Sequence, residues 1–344
     1  MRLVTMKDIA KIVGCTEATV SRVLSKPEGE SPISKPLQEK IRVVADRLGY
    51  QPNLMARGLA TRKTDNIGVV LDCYEHLTHP VMMQTIAGIT KAISTSNYSL
   101  SIFVLDQPGR KEKKLNLANL FARRQVDGLL IAAYDVDVLA IVELIKQKYP
   151  FVLVNMSVDG IDTNLVVNDS AAYSSAVVKY LYDLGHREIA FLPGPSKYGP
   201  NPKRKVITGI ESAAAEYGIR LGPSRLVLTE YDRDAAYQAA KELLQSQNRP
   251  TAIFAGDDAM AVGVYHAAVD LGLQVPQDLS IVSGADSYLT KFAPVPITAI
   301  HARHLEIGYR AAELLQEVLN GKEGTERVVI SHQLTERNSC TKIN

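Results

Sequence analysis

The sequence predicts an α/β protein made of a small three-helix head, a short connecting helix and a two-lobed core of parallel sheets. Three observations predict it. Apolar residues recur at helical spacing through the N-terminal stretch and are interrupted by Gly14, Gly49 and a proline-rich loop. From Ile67 onward the pattern changes to short apolar runs separated by amphipathic segments. The charge divides at the same place: residues 1–63 hold 12 Lys+Arg and 6 Asp+Glu, against 27 and 31 in the remainder.

A chain of 344 residues is too long for one small core and suits two or three units. Its hydrophobic content is 46%, yet no apolar run is long enough to span a bilayer. Lys7 is followed at once by Asp8 and a helical pattern, not by the apolar stretch of a signal peptide. A soluble, cytoplasmic protein with no membrane partner is expected. Cys15, Cys73 and Cys340 lie far apart with no CxxC, which predicts free thiols and neither a zinc site nor a disulfide framework. A basic head on a mildly acidic body suggests a polyanion partner for the head.

In the head, Met6 to Val13 reads as a short helix with Ile9, Ala10 and Val13 on one face, ended by Gly14. Thr16 can cap a second helix that continues through Thr19, Val20, Val23 and Leu24. Two short helices about a tight glycine-containing turn form a helix-turn-helix, whose second helix can present polar side chains to the major groove of DNA. Between Lys26 and Pro36 the loop holds Pro27, Gly29 and Pro32 and cannot be helical throughout. A third helix is expected from about Leu37 to Leu48, with Ile41, Val44, Ala45 and Leu48 inward and Gly49 closing it. Asn53 is a natural N-cap for a further helix reaching Thr61. So short a helix is marginal alone in water, below the roughly 12–15 residues usually needed. Gly58 weakens it by roughly 1 kcal/mol relative to Ala.

In the core, the apolar runs are IGVVL at 67–71, LSIFVL at 100–105, DGLLIA at 127–132, FVLV at 151–154 and LVV at 165–167. EIAFL at 188–192, RLVL at 225–228, AIFA at 252–255 and LSIVS at 279–283 follow. Buried strands alternating with helices mean parallel sheets covered on both faces. About 280 residues are enough for two such lobes.

The stretch TMKDIAKIVGCTEATVSRVLS, followed by LQEKIRVVADRLGYQPNLMARGLAT, is very similar to the head of the lactose-repressor (LacI/GalR) family, which shares DIA, TVSRVL and GYQPN before a short helix. The motifs VVNDSAA, LGHREIAFLPGP, PTAIFAGDDAMAVGV, GLQVPQDLSIVSGADS and PITAI are specific in combination. They resemble the periplasmic-binding-protein-like core of the same family. The resemblance implies a helix-turn-helix DNA-binding domain at 1–52, a hinge helix and linker at 53–64, and an effector-binding core at 65–344. The chain should cross between lobes three times, giving a first lobe at about 65–166 and 297–325 and a second at about 168–295 and 326–344. The function implied is that of a sequence-specific transcriptional repressor. It binds pseudopalindromic operator DNA as a homodimer under the control of a small molecule held between the lobes.

By that resemblance Thr16, Glu17, Ala18, Ser21 and Arg22 face the DNA. Arg22 can donate two hydrogen bonds to guanine O6 and N7, Glu17 can accept from cytosine N4, and the Ala18 methyl can meet a thymine methyl. For Arg22 a phosphate contact is the alternative. Thr5, Ser21 and Ser25 are placed for phosphates, which fix register and carry no sequence information. In the hinge, Asn53, Ala56 and Leu59 are expected on the DNA. The leucine that the family inserts into the minor groove corresponds to Leu59, where an apolar wedge unstacks a base step. Its alternative is a linker residue packed on the core. The loop after the second helix is longer than in the lactose repressor.

Ligands of open α/β sheets sit outside the carboxyl ends of the strands, and in two-lobed proteins between the lobes. The loops there carry Asp72, Tyr74, His79, Pro80, Tyr134, Asp135, Asp169, Tyr231, Asp257, Asp258 and Asp286, and of these Asp72, Tyr74, Tyr134, Asp169, Tyr231, Asp257 and Asp286, with Arg204 close by, form the expected effector set. Carboxylates bind sugar hydroxyls through charge-assisted hydrogen bonds and tyrosine faces stack on sugar rings, which points to a carbohydrate. Asp169, Asp257 and Asp286 match polar effector contacts of the family position by position. For each Asp, an N-cap on the following helix is the alternative. Two departures matter: Val206 stands three residues before Gly209 where many members carry arginine, and GAD at 284–286 replaces Gly-aromatic-Asp.

No GxGxxG, GxxxxGK[ST], HExxH or GxSxG marks an enzyme. No cofactor and no metal are expected, although His76 and His79 with Asp72 form a loose grouping. His186 is expected to pack at a strand start, and His301 and His304 to lie near a crossover. A solute-binding protein shares the core fold and would need an export signal. A regulator driven by a corepressor or a partner protein is the nearer alternative. No heptad leucines follow Arg337, so a dimer is expected, not a coiled-coil tetramer.

Overall fold

The computed structural model describes residues 4–24, 31–50, 63–106, 115–133, 135–194, 202–229 and 231–343, with the backbone alone for 202–204. Ser25, Asn53, Ala56, Leu59, Tyr134 and the side chain of Arg204 lie outside the described residues. The chain divides into two compact units, Met1–Thr64 and Asp65–Asn344.

The head holds α1 (Met6–Val13), α2 (Glu17–Leu24) and α3 (Lys35–Arg47). Ile9, Ala10 and Val13 of α1 meet Val20 and Val23 of α2 and Ile41 and Ala45 of α3 in one core. Thr5 and Asp8 form a reciprocal capping box at the start of α1. At its end Gly14 takes the left-handed conformation, φ 80°, and donates its N–H to the Ala10 carbonyl. Lys40 donates to the Val13 carbonyl at 3.2 Å and Arg42 to the Val23 carbonyl at 3.0 Å, so α3 supplies a cation to the carboxyl end of each neighbour. The third helix starts earlier than the expected Leu37. Pro36 fits its first turn, where the missing N–H has no helical partner to lose.

The core contains the strands β1 (Asn66–Leu71), β2 (Ser99–Val104), β3 (Gly128–Ala132), β4 (Phe151–Val154), β5 (Leu165–Asn168), β6 (Ile189–Leu192), β7 (Ala252–Ala255), β8 (Ser280–Ser283), β9 (Thr298–His301), β10 (Arg327–Ile330) and β11 (Gln333–Thr335). One sheet runs β10-β5-β4-β3-β1-β2 and is parallel throughout. The other runs β11-β9-β8-β7-β6 and is parallel except for β11, which is antiparallel to β9. The interior strands are mostly apolar because both faces are covered, with polar residues at the ends of some, such as Asn66, Asn168, Ser280 and Ser283. On the first sheet, α4 (Pro80–Ile93) and α12 (His304–Leu319) cover one face, while α5 (Leu117–Ala122) and α6 (Val138–Lys146) cover the other. On the second, α7 (Ser170–Asp183) and α8 (Pro202–Glu216) lie opposite α9 (Arg233–Gln245) and α10 (Asp258–Asp270). The short α11 (Tyr288–Lys291) follows β8.

The chain crosses between sheets after Asn168, after His301 and after Ile330. This corrects the expected lobe limits at two places. Residues 298–301 pair with β8 in the second sheet, and residues 327–330 pair with β5 in the first. Non-local hydrogen bonds decide it: Ser339 Oγ accepts from Thr298 N at 2.8 Å and donates to the Ile281 carbonyl, tying β9 to the second lobe. The run at 225–228 is not a regular strand. It passes the free edge of β6 and bridges Phe191 through Leu226 alone.

α4 and α12 pack at backbone contact. A methyl added at Gly88 would lie 1.9 Å from the Leu305 carbonyl oxygen, and one at Gly308 would lie 2.0 Å from that of Thr85. His186 is buried, with Nδ1 2.9 Å from Thr251 Oγ1 and Nε2 3.0 Å from Ser280 Oγ, at the starts of β7 and β8. No helix among the described residues is long and apolar enough to cross a membrane.

Candidate functional site

The head presents one polar helix face. Val20 and Val23 turn inward, so helical spacing places Glu17, Ala18, Ser21 and Arg22 outward, and all four are exposed. Thr16 Oγ1 accepts the Thr19 N–H at 3.2 Å, which caps the helix that carries them. Thr5 is also exposed, and its hydroxyl donates to Asp8 at 2.7 Å within the capping box.

The core holds a cleft of about 490 Å³ between its lobes. The first lobe lines it with Glu75, His76 and His79 after β1, Met82 of α4 and Asn155 after β4. The second lobe contributes Tyr173, Val206, Tyr231, Phe254 and Asp257. Ala302 and His304 come from a crossover. Asp257 has two partners: it caps α10 by accepting the Met260 N–H at 2.8 Å, and its Oδ2 lies 2.9 Å from His79 Nε2 of the opposite lobe. Gln84 adds a second link across the lobes, donating to the Asp286 carbonyl at 3.0 Å.

Burial shifts two groups that line the cleft, Tyr173 and His304, in opposite directions. Tyr173 donates its hydroxyl to the Gly284 carbonyl at 3.3 Å, and burial pushes that phenol well above its usual range. Burial, aided by the nearby His301 and His79, pushes His304 down to about 3, so its imidazole is neutral at physiological pH. Its Nδ1 is buried and has no hydrogen-bond partner among the described residues. Burial also pushes the Asp258 carboxyl up, while Ser283 and the Ser287 N–H hydrogen-bond to it and fix the loop after β8 against α10. A smaller cavity of about 250 Å³ adjoins through Asn155, Asn168 and Ser170 and carries Lys205 and Arg327.

Residues 5–53 match the family described as bacterial regulatory proteins, lacI family, and residues 178–340 match the periplasmic binding protein-like domain. Catabolite control protein A of Priestia megaterium is 32% identical over 340 residues, covering 98% of this chain and 99% of the relative. The ribose operon repressor of Escherichia coli (strain K12) is 30% identical over 343 residues, covering 98% and 100%. The chain belongs to the lacI family of bacterial regulatory proteins. The lac repressor dimer bound to operator and the anti-inducer ONPF shares its fold, with a TM-score of 0.86 at 23% identity over 99% of this chain and 100% of that one. This LacI-family protein is therefore a DNA-binding transcriptional regulator.

The regulator's cleft gathers only part of the residue set expected from sequence. Asp257 and Tyr231 line it, and Val206 is in the wall. Asp169 faces the smaller cavity and caps α7 through the Ala172 N–H at 3.0 Å. Asp72 is buried and accepts the Asp135 N–H at 2.8 Å, which holds the loop after β3 against the end of β1. Tyr74 is 60% exposed and Asp286 pairs with Arg337 at 2.6 Å, and neither lines the cleft. His76, His79, His304, Tyr173 and Phe254 line it and stand outside the expected set. The available signal for His304 was its place directly after a crossover; for the others, residues distant in sequence have to converge.

Proposed function

We propose that this protein is a repressor whose hold on a pseudopalindromic operator is set by a small carbohydrate-like molecule seated between the lobes. The observation that carries the reading is a cleft lined from both lobes and linked across by His79 and Asp257. A ligand there changes the relative free energy of lobe arrangements only as far as it binds them unequally. One that prefers the arrangement competent for DNA acts as corepressor, and one that prefers the other acts as inducer.

On the DNA side, Arg22 reads guanine with Glu17, Ala18 and Thr16 beside it, and Thr5, Ser21 and Ser25 hold phosphates. Asn53, Ala56 and Leu59 act in the hinge, with Leu59 as the minor-groove wedge. On the effector side, Asp257 accepts hydroxyl protons and Tyr231 offers a ring face. The chain acts in the cytoplasm, where its DNA partner is.

Fluorescence anisotropy with labelled operator DNA tests this. Titrating sugars, sugar phosphates and nucleobases into the full-length complex should shift operator affinity about 5–150-fold for one of them. Operator affinity that survives removal of residues 1–64 overturns the reading.

A further inference from the structure

The smaller cavity of about 250 Å³ differs from the main cleft in charge. Among the described residues the cleft is lined by the carboxylates of Glu75 and Asp257 and by no lysine or arginine. The smaller cavity is lined by two cations, Lys205 and Arg327, and one carboxylate, Asp169. Lys205 stands on α8 of the second lobe and Arg327 on β10 of the first. Lys205 reaches across, with Nζ donating to Ser157 Oγ at 3.4 Å beyond β4 of the first lobe. Among the described residues neither cation pairs with a carboxylate. Glu326, next to Arg327 in the chain, is taken by Lys322, and Asp169 is engaged as the cap of α7. Two cations brought to one small cavity without counter-ions repel each other, and a bound anion relieves that repulsion.

We propose that this cavity is a second ligand site, for a small phosphate-type oxyanion held by Lys205 and Arg327 from opposite lobes. The guanidinium fork matches two oxygens of a tetrahedral anion, and the ammonium adds a point charge. Neutral donors stand on the same wall. Asn168 Oδ1 accepts from Ser170 Oγ at 3.0 Å, which leaves the Asn168 amide nitrogen as a donor, and the Ser157 hydroxyl lines the cavity beside Lys205. The volume lies below the roughly 300–1,000 Å³ of sites for drug-sized ligands and suits an ion or a very small ester. An anion that touches both cations binds this lobe arrangement better than one that parts Lys205 from Arg327. It therefore favours this arrangement, and whatever else moves the lobes changes its affinity in return. The site does not depend on what the main cleft holds.

The test is calorimetric titration of the full-length protein with inorganic phosphate and with glycerol 3-phosphate, in chloride buffer of matched ionic strength. At least one of them should bind, and the tighter of the two tells a free ion from an ester. Lys205→Gln and Arg327→Gln each remove one charge and should each weaken that binding about tenfold. Because both cations touch cavity and solvent more than core, the variants should fold as the wild type does. In the wild-type protein carrying isotope-labelled arginine, the Arg327 Nε resonance should move as phosphate is added, which keeps the test available should either variant misfold. No binding of either compound beyond the chloride control, unchanged affinity in Lys205→Gln or in Arg327→Gln, or an unmoved Arg327 signal would each overturn the proposal. A main cleft that binds no carbohydrate would overturn the reading of the cleft alone, since none of these measurements uses it.

Discussion

His79 Nε2 and Asp257 Oδ2 meet at 2.9 Å across the cleft, joining the start of α4 in one lobe to the start of α10 in the other. Both side chains are largely shielded from solvent, so the contact is stronger than a surface pair. Asp257→Asn keeps an oxygen for the Met260 cap and removes the charge facing His79. A double-mutant cycle of His79→Ala with Asp257→Asn should give a coupling of about 1 kcal/mol in urea unfolding. Additive losses would show that the pair carries no energy.

Arg22 stands on the exposed face of α2 and is the side chain there with two-pronged donor geometry. Arg22→Ala should cost about 1–3 kcal/mol of operator binding and relax selection at a single base pair. Competition assays on operator and scrambled DNA read both effects. Equal losses on the two DNAs would assign Arg22 to phosphate.

Gly308→Ala would force a methyl to within 2.0 Å of the Thr85 carbonyl oxygen, which belongs to the helix backbone and cannot swing aside. The expected loss is about 1–3 kcal/mol of stability. Gly222→Ala, whose new methyl meets nothing within 4 Å, is the matched control and should be nearly neutral. Thermal unfolding midpoints of the two variants compare them. Similar midpoints would mean that α4 and α12 yield easily.

His304 makes stability depend on pH in a stated direction. Its folded value of about 3 lies below the ordinary 6.5, so between these limits the unfolded chain binds a proton that the folded chain refuses. Stability is therefore full above the ordinary value and falls as the pH drops below it. Going from about pH 7.5 to about pH 5.5 should remove about 1 kcal/mol through this residue. Urea midpoints of wild type and His304→Gln at the two pH values isolate the share, and identical pH slopes would refute it.

The head was legible because its signals are local. Val13, Gly14 and Thr16 mark the end of one helix and the start of the next within a few positions, and the Val20 and Val23 spacing sets which face looks out. The core strands were legible as apolar runs, but their lobe was not. Thr298–His301 and Arg327–Ile330 are short and fit either sheet, and bonds from residues far along the chain decide between them. The cleft was half legible. Asp257 follows a strand, as effector loops do, and helix capping by Asp169 and Asp257 was one of two open readings. The meeting of His79, Asp257 and His304 joins three distant segments, and no spacing rule within one segment reports it.

The side-chain-free contact at Gly88 and Gly308 locks α4 and α12 into a single lever. His79 stands at the head of one helix and His304 at the head of the other. A force on either imidazole is therefore passed to both helices, because their backbones already touch and leave no side chain between them to yield.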